Sequence, residues 1–189
     1  MDAEAKRRRR GLVIVYTGDG KGKTTAAMGL ALRAAGNRLP VRVIQFIKGD
    51  WKSGERTLLE SGAVPGLEIA TAGRGFTVAH LRNPRIPMDE HQRAFEAGWA
   101  AAAEAVTSGR YRLVVLDEIL GAVRAGLLSE AQLCEFVRRR PAPVHLVLTG
   151  RGGLELSQLM ALADMVSEVV PHKHHYRDQG IPAQRGIEF

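Results

Sequence analysis

Lys23 and Thr24 directly follow Gly22 in the stretch "VIVYTGDGKGKTTAAMGLALRAAG", residues 13–36. Their spacing is that of the phosphate-binding loop G-x-x-x-x-G-K-[ST], except that Thr17 stands where the pattern asks for its first glycine. A phosphate cradle needs a strand that delivers the chain to a tight loop, glycines that let backbone N–H groups converge, a lysine, and a helix N-terminus aimed at the anion. All four occur here in order: an apolar run over 11–16, then Gly18, Gly20 and Gly22, then Lys23, then a helical pattern from near Thr24. The missing glycine affects one backbone position, and Gly18 beside it supplies the freedom. In such a loop Lys23 neutralises terminal phosphate oxygens, and Thr24 or Thr25 offers a hydroxyl to magnesium. The residues expected to contact a nucleotide are therefore Gly18, Asp19, Gly20, Lys21, Gly22, Lys23, Thr24 and Thr25, with Lys21 as a second cation beside the anion.

A magnesium ion bound there also needs a carboxylate from a neighbouring strand. "RLVVLDE" supplies one: four apolar residues, then Asp117 and Glu118, at the C-terminal edge where open α/β sheets bind ligands. Asp117 is the expected metal ligand. Glu118 has two readings: the base for water in a hydrolytic ATPase, or a residue that only helps hold the metal in a transfer without water. "GRGG" at 150–153 follows a strand pattern and precedes a helical one, which places Arg151 at the same edge. "PHKHHYRD" clusters His172, His174 and His175, but no cysteine or acidic cluster nearby completes a tetrahedral zinc set.

These residues need a scaffold, and the pattern of apolar runs gives one. Short β-branched runs at 11–17, 41–47, 67–70, 111–117, 143–150 and 164–170 alternate with helical patterns at about 24–35, 54–61, 89–107, 129–139 and 153–163. Several of the runs are apolar throughout, as a sheet covered on both faces requires. The expected fold is a single α/β domain with a mostly parallel sheet. Ser129 with Gln132 forms a possible capping box, Arg138–Arg140 before Pro141 a basic helix end and stop, and Gly36 an αL cap for the first helix. The segment 73–88 has neither period and reads as a long functional loop.

The chain has 189 residues, 45% of them hydrophobic, enough for one substantial core. It has no apolar run of membrane-spanning length and no signal-peptide pattern, and its single Cys134 cannot form an internal disulfide. The expected location is the cytoplasm. The net charge is +7, with five consecutive cations at Lys6–Arg10 and the remainder dispersed. The expectation is a solvated basic tail over 1–10 followed by a domain over 11–189, and no nucleic-acid partner.

Taken together, "YTGDGKGKTTAA", "VIQFIKGDWKSGE", "GFT", "VVLDEI", "LTGRG", "LADMVSEV" and "KHHYRDQGIPAQRGIEF" resemble the ATP:cob(I)alamin adenosyltransferases of the housekeeping, phosphate-loop type, from about Gly11 to Phe189. The resemblance implies a RecA-like sheet with helices on both faces, commonly a homodimer. It also implies transfer of the adenosyl group of ATP to a reduced corrinoid, with magnesium, release of tripolyphosphate, and a flavoprotein or other electron donor as reductant. The variant loop with Thr17 is also the family's form. Lys23 and Glu118 then become the catalytic pair, with Thr24, Asp117 and Glu118 around the metal, Arg151 near the nucleotide, and Phe76 on the corrin side. One departure stands out: where the family usually has "GFTW", this chain has "GFTV", so Phe76 matches and Val78 does not. Two competing readings are a phosphate-loop ATPase acting with nucleic acid and a corrinoid-delivery module without turnover.

Overall fold

The computed structural model describes residues 10–46, 53–73, 75 and 86–188. Its strands are β1 (Val13–Thr17), β2 (Val41–Phe46), β3 (Leu67–Ala72), β4 (Leu113–Asp117), β5 (His145–Thr149) and β6 (Met165–Glu168). They form one sheet in the order β3-β2-β4-β5-β1-β6, with every pairing parallel. Because β4, β5 and β1 are neighbours and point the same way, the loops leaving their C-terminal ends lie side by side. This adjacency brings the glycine-rich loop after β1, the Asp117–Glu118 pair and the loop of Arg151 to one edge.

The unbroken apolar runs are explained by burial on both faces. Val13 and Val15, Val114 and Leu116, and Leu146 and Leu148 pack into one core cluster. The residues between them, Ile14, Val115 and Val147, pack into a second cluster on the opposite face. Successive side chains of a strand point to opposite faces, so a strand covered on both sides reads as a near-continuous apolar run, with the buried polar residues Thr17, Gln45, Asp117 and Thr149 gathered at the C-terminal ends. The first cluster is closed by α3 (Met88–Thr107), α4 (Ile119–Arg124), α5 (Glu130–Arg139) and α6 (Ser157–Leu162). The second is closed by α1 (Lys23–Gly36) and α2 (Gly54–Glu60). Phe46, Phe95, Trp99 and Phe136 run in a chain of ring contacts at 5.5, 6.1 and 4.6 Å, which ties α3 to both β2 and α5. Cys134 is buried in the same cluster.

Several local expectations hold and several are corrected. The capping box at Ser129 and Gln132 is formed on both sides, and the chain leaves the helix at Arg140, before Pro141. Gly36 is not an αL cap: it remains within α1, and the left-handed residue is Arg38 at φ 60°. The expected helix over 153–163 is split into a short 3-10 turn, Gly153–Glu155, and α6, because Leu156 at φ −91° and ψ 75° leaves the helical region. Two short helices were not expected, α4 and α7 (His175–Gln179). The run at 164–170 gives a strand of only four residues at the sheet edge, paired with β1, with Met165 and Val166 well exposed. Among the described residues no helix is long and apolar enough to cross a membrane.

One pairing near the start of the sheet depends on pH. His145 Nδ1 accepts the N–H of Leu12 at 3.1 Å, so this nitrogen carries no proton in the folded state. Burial lowers the pKa of the imidazole, and Arg112 and Arg140 lower it further. The folded state therefore binds fewer protons than the unfolded chain just below the ordinary histidine value of about 6.5. In that window stability rises with pH; it is fully present above the unfolded pKa and lost as pH falls towards the depressed folded value. The urea midpoint of the wild type is expected to drop between pH 7.5 and pH 5.5 by more than that of His145→Asn, whose Oδ1 accepts the same N–H without titrating, on the roughly 6.5 reference scale. Equal pH dependence in the two proteins would refute this role.

Candidate active site

The loop between β1 and α1 is shaped by residues that only glycine can supply. Gly18 and Gly22 take positive φ values of 98° and 118°. Gly20 passes so close to the chain after β6 that a β-carbon there would lie 2.7 Å from the carbonyl oxygen of Val169. The N–H of Gly20 donates to that same oxygen at 2.7 Å, which fastens the loop to the edge strand. Lys23, the first residue of α1, is buried, and its ammonium donates to the carbonyls of Gly18 at 2.6 Å and Gly20 at 2.7 Å. Burial lowers its pKa; Glu118 opposes that shift most, Arg151 reinforces it, and Asp19 and Asp117 oppose it to a lesser degree.

Thr17 has a use that its place in the motif does not suggest. Its hydroxyl oxygen accepts the N–H of Gly153 at 2.8 Å, joining the end of β1 to the loop after β5. The approach is tight, since a β-carbon on Gly153 would stand 2.7 Å from that oxygen. A glycine at position 17 could not make this tie. Arg151, in the loop so anchored, is exposed, with its Nε 4.0 Å from Asp19 Oδ1 of the glycine-rich loop after β1.

Asp117 ends β4 fully buried and accepts hydrogen bonds on both carboxylate oxygens. Thr24 Oγ1 donates to Oδ1 at 2.9 Å and Thr149 Oγ1 donates to the same oxygen at 2.7 Å. Gln45 Nε2 donates to Oδ2 at 3.0 Å. The contact separates the two threonines of the motif: Thr24 faces Asp117, while Thr25 is exposed. Glu118 follows in the left-handed region at φ 62°, and its N–H donates to Thr149 Oγ1 at 2.9 Å. Gln45 and Thr149 were not anticipated. Their signal was there, a single amide in the apolar run "VRVIQFI" and a hydroxyl at the end of "VHLVLT", each at the ligand edge of a strand.

The C-terminal segment folds back to the same place. Lys21 and His175 both contact the carboxylate of Glu188, which Lys21 in particular holds below its usual pKa. His174 Nδ1 accepts the N–H groups of Tyr176 and Arg177, capping α7, and its ring stacks on His175 at 4.8 Å. Among the described residues no group of three or more His, Cys, Asp or Glu side chains could hold a metal ion. Phe76, Val78 and the basic tail up to residue 9 lie outside the described residues.

The edge thus combines the cations Lys21, Lys23 and Arg151 with a hydroxyl and two acidic residues, an arrangement suited to a polyphosphate that arrives with a hard divalent cation. A family profile described as ATP:corrinoid adenosyltransferase BtuR/CobO/CobP matches residues 9–189. A corrinoid adenosyltransferase of Escherichia coli (strain K12) is 38% identical over 180 residues, covering 95% of this chain and 86% of the relative. The corrinoid adenosyltransferase CobA of Salmonella typhimurium (strain LT2) is also 38% identical, with 95% of this chain and 86% of the relative covered. One from Sinorhizobium is 38% identical over 182 residues, with 95% and 81% covered. The profile spans the phosphate loop, the Asp117 edge and the returning C-terminal segment alike, and the chain belongs to the ATP:corrinoid adenosyltransferase family.

Proposed function

We propose that this transferase moves the 5′-deoxyadenosyl group of ATP to the Co(I) centre of a reduced corrinoid and releases tripolyphosphate. The observation that carries the reading is the Thr24–Asp117 hydrogen bond at 2.9 Å, which joins the helix after the phosphate loop to the carboxylate edge at the point where a nucleotide-bound cation would sit. In the reaction the electron pair of Co(I) forms the new bond to C5′ of the ribose. The C5′–O bond breaks, and its electrons leave on the triphosphate.

The protein's task is to stabilise charge that grows on the leaving group. Lys23 is the principal donor, with Lys21 and Arg151 as further cations and the start of α1 aimed at the anion. The hydroxyl of Thr24 and the carboxylates of Asp117 and Glu118 are hard oxygen donors that fit magnesium, and the bound ion would neutralise the departing triphosphate. No water has to be activated, so Glu118 contributes charge and position rather than acting as a base. Gly18, Asp19, Gly20, Gly22 and Thr25 complete the nucleotide-binding loop.

The remaining assignments follow from the same reading. Phe76 would face the corrin as an apolar anchor, since a corrin is a large, mostly apolar ring that needs a concave apolar surface. Residues 11–189 would form the catalytic unit, preceded by a solvated basic arm whose last residue, Arg10, is bonded to Asp164. A homodimer, a flavoprotein or other electron donor for the corrinoid, and a cytoplasmic location complete the proposal.

The test is incubation with ATP, magnesium and chemically reduced cobalamin, following the spectral change to adenosylcobalamin and identifying the phosphate product. Intact tripolyphosphate formed one-for-one with adenosylated corrinoid is the expected result. Orthophosphate release stimulated by DNA or RNA, without adenosylation, would replace this reading with a nucleic-acid-coupled ATPase. Stoichiometric corrinoid binding without multiple turnovers would replace it with a delivery module.

A further inference from the structure

We infer that Thr149 is a positioning residue whose single hydroxyl sets the relative placement of Asp117 and Glu118. The inference rests on the proposal that these acidic residues hold the cation that accompanies ATP. Thr149 is fully buried at the last position of β5, beside the end of β4. Its oxygen lies 2.7 Å from Asp117 Oδ1 and 2.9 Å from the backbone nitrogen of Glu118.

The chemistry of the partners fixes the direction of both bonds. A backbone N–H can only donate, so the Thr149 oxygen must accept from Glu118. Its one proton is then directed to the Asp117 carboxylate, which can only accept. The hydroxyl is therefore locked in rotation, and one side chain links two consecutive residues of β4's end to β5.

Each linked residue has a feature that calls for such a hold. Asp117 Oδ1 also receives the Thr24 hydroxyl at 2.9 Å, while Oδ2 receives Gln45 at 3.0 Å, so donors from three elements set the rotation of the carboxylate. Glu118 is one of two non-glycine residues with positive φ among those described, a conformation such residues seldom adopt. The bond from its N–H to Thr149 keeps the chain in that turn as α4 begins, and so decides where the Glu118 side chain starts from. A buried threonine that merely satisfied a backbone N–H would need only its acceptor. Thr149 also spends its proton on the carboxylate proposed to face the metal.

The experiment compares Thr149→Val, Thr149→Ser and, as a reference, Asp117→Asn. It measures Mn²⁺ affinity of the enzyme–ATP complex by electron paramagnetic resonance, metal-free ATP affinity in chelator by calorimetry, and steady-state kcat and KM. Loss of a residue that orients a ligand costs about 10- to 100-fold in metal affinity or activity, and Thr149→Val is expected to lose that much of both. Its affinity for metal-free ATP and its KM for corrinoid should stay at wild-type values, and Thr149→Ser, which keeps the hydroxyl, should restore Mn²⁺ binding. Where the valine variant does not fold, Thr149→Ala removes the hydroxyl without pressing a methyl group on the carboxylate and is read in the same way. Wild-type Mn²⁺ affinity in Thr149→Val or Thr149→Ala, with Asp117→Asn impaired, overturns the positioning role alone. Wild-type affinity in Asp117→Asn overturns the metal assignment and this inference with it.

Discussion

Lys23→Ala is expected to lower kcat for adenosyl transfer by about 10²- to 10³-fold, the usual cost of removing one preorganised donor from a site of developing negative charge. Lys23 is 6% exposed, and its ammonium already sits against the carbonyls of Gly18 and Gly20, so little reorganisation is needed when charge develops. Burial lowers its pKa, but Glu118, Asp19 and Asp117 all favour the charged form, and a bound triphosphate would favour it further. Alanine removes both the charge and the two bonds that brace the loop. The loss should therefore fall on kcat and on ATP affinity, while corrinoid KM stays near the wild-type value, because the corrin is proposed to contact a different segment. Steady-state assays with reduced cobalamin and calorimetry with ATP separate these quantities. Wild-type turnover in the variant would remove the phosphate loop from the mechanism.

The parts of this molecule that were readable in the sequence are those whose signal is local. β1, β2, β4 and β5 are covered on both faces, so burial left near-continuous apolar runs, and the nucleotide loop is one contiguous string. Ser129 and Gln132 are three residues apart and needed no tertiary knowledge to be paired. The short elements were harder. α4 and α7 have six and five residues, too few for a helical period to rise above the surrounding pattern. Arg38, and not Gly36, takes the left-handed conformation after α1, because Asn37 first closes the last turn with bonds to Arg33 and Ala34. Least readable were the partners of Asp117. Gln45 and Thr149 lie 72 and 32 residues away in sequence, and only the strand order β2-β4-β5 brings them to the same carboxylate. The motif supplied the chemistry of the edge, while topology supplied its bracing.

That bracing makes Asp117 and Glu118 respond differently to the loss of charge. In Asp117→Asn the new amide group must face donors: Thr24 and Thr149 approach one side and Gln45 the other. Whichever way the amide turns, its NH₂ stands where an acceptor stood, so the Gln45 amide must flip or the Thr24 and Thr149 hydroxyls must turn to accept, and a group left unsatisfied by that rearrangement adds about 1–3 kcal/mol of penalty to the loss of charge. Asp117→Asn is therefore expected to lose turnover by about 10²- to 10³-fold through weakened charge stabilisation, to need more magnesium, and to melt at a lower temperature. Glu118→Gln retains the left-handed turn and the backbone bond to Thr149, because both belong to the main chain. It loses charge on a side chain that is only half-buried. A general base contributes about 10²- to 10⁴-fold, but a Co(I) nucleophile carries no proton to remove, so Glu118→Gln should fall short of even the lower figure. The comparison is made at saturating ATP over a magnesium titration, with thermal melts of both variants. A Glu118→Gln enzyme as inactive as Lys23→Ala, with its magnesium requirement unchanged, would favour the reading of Glu118 as a base for water.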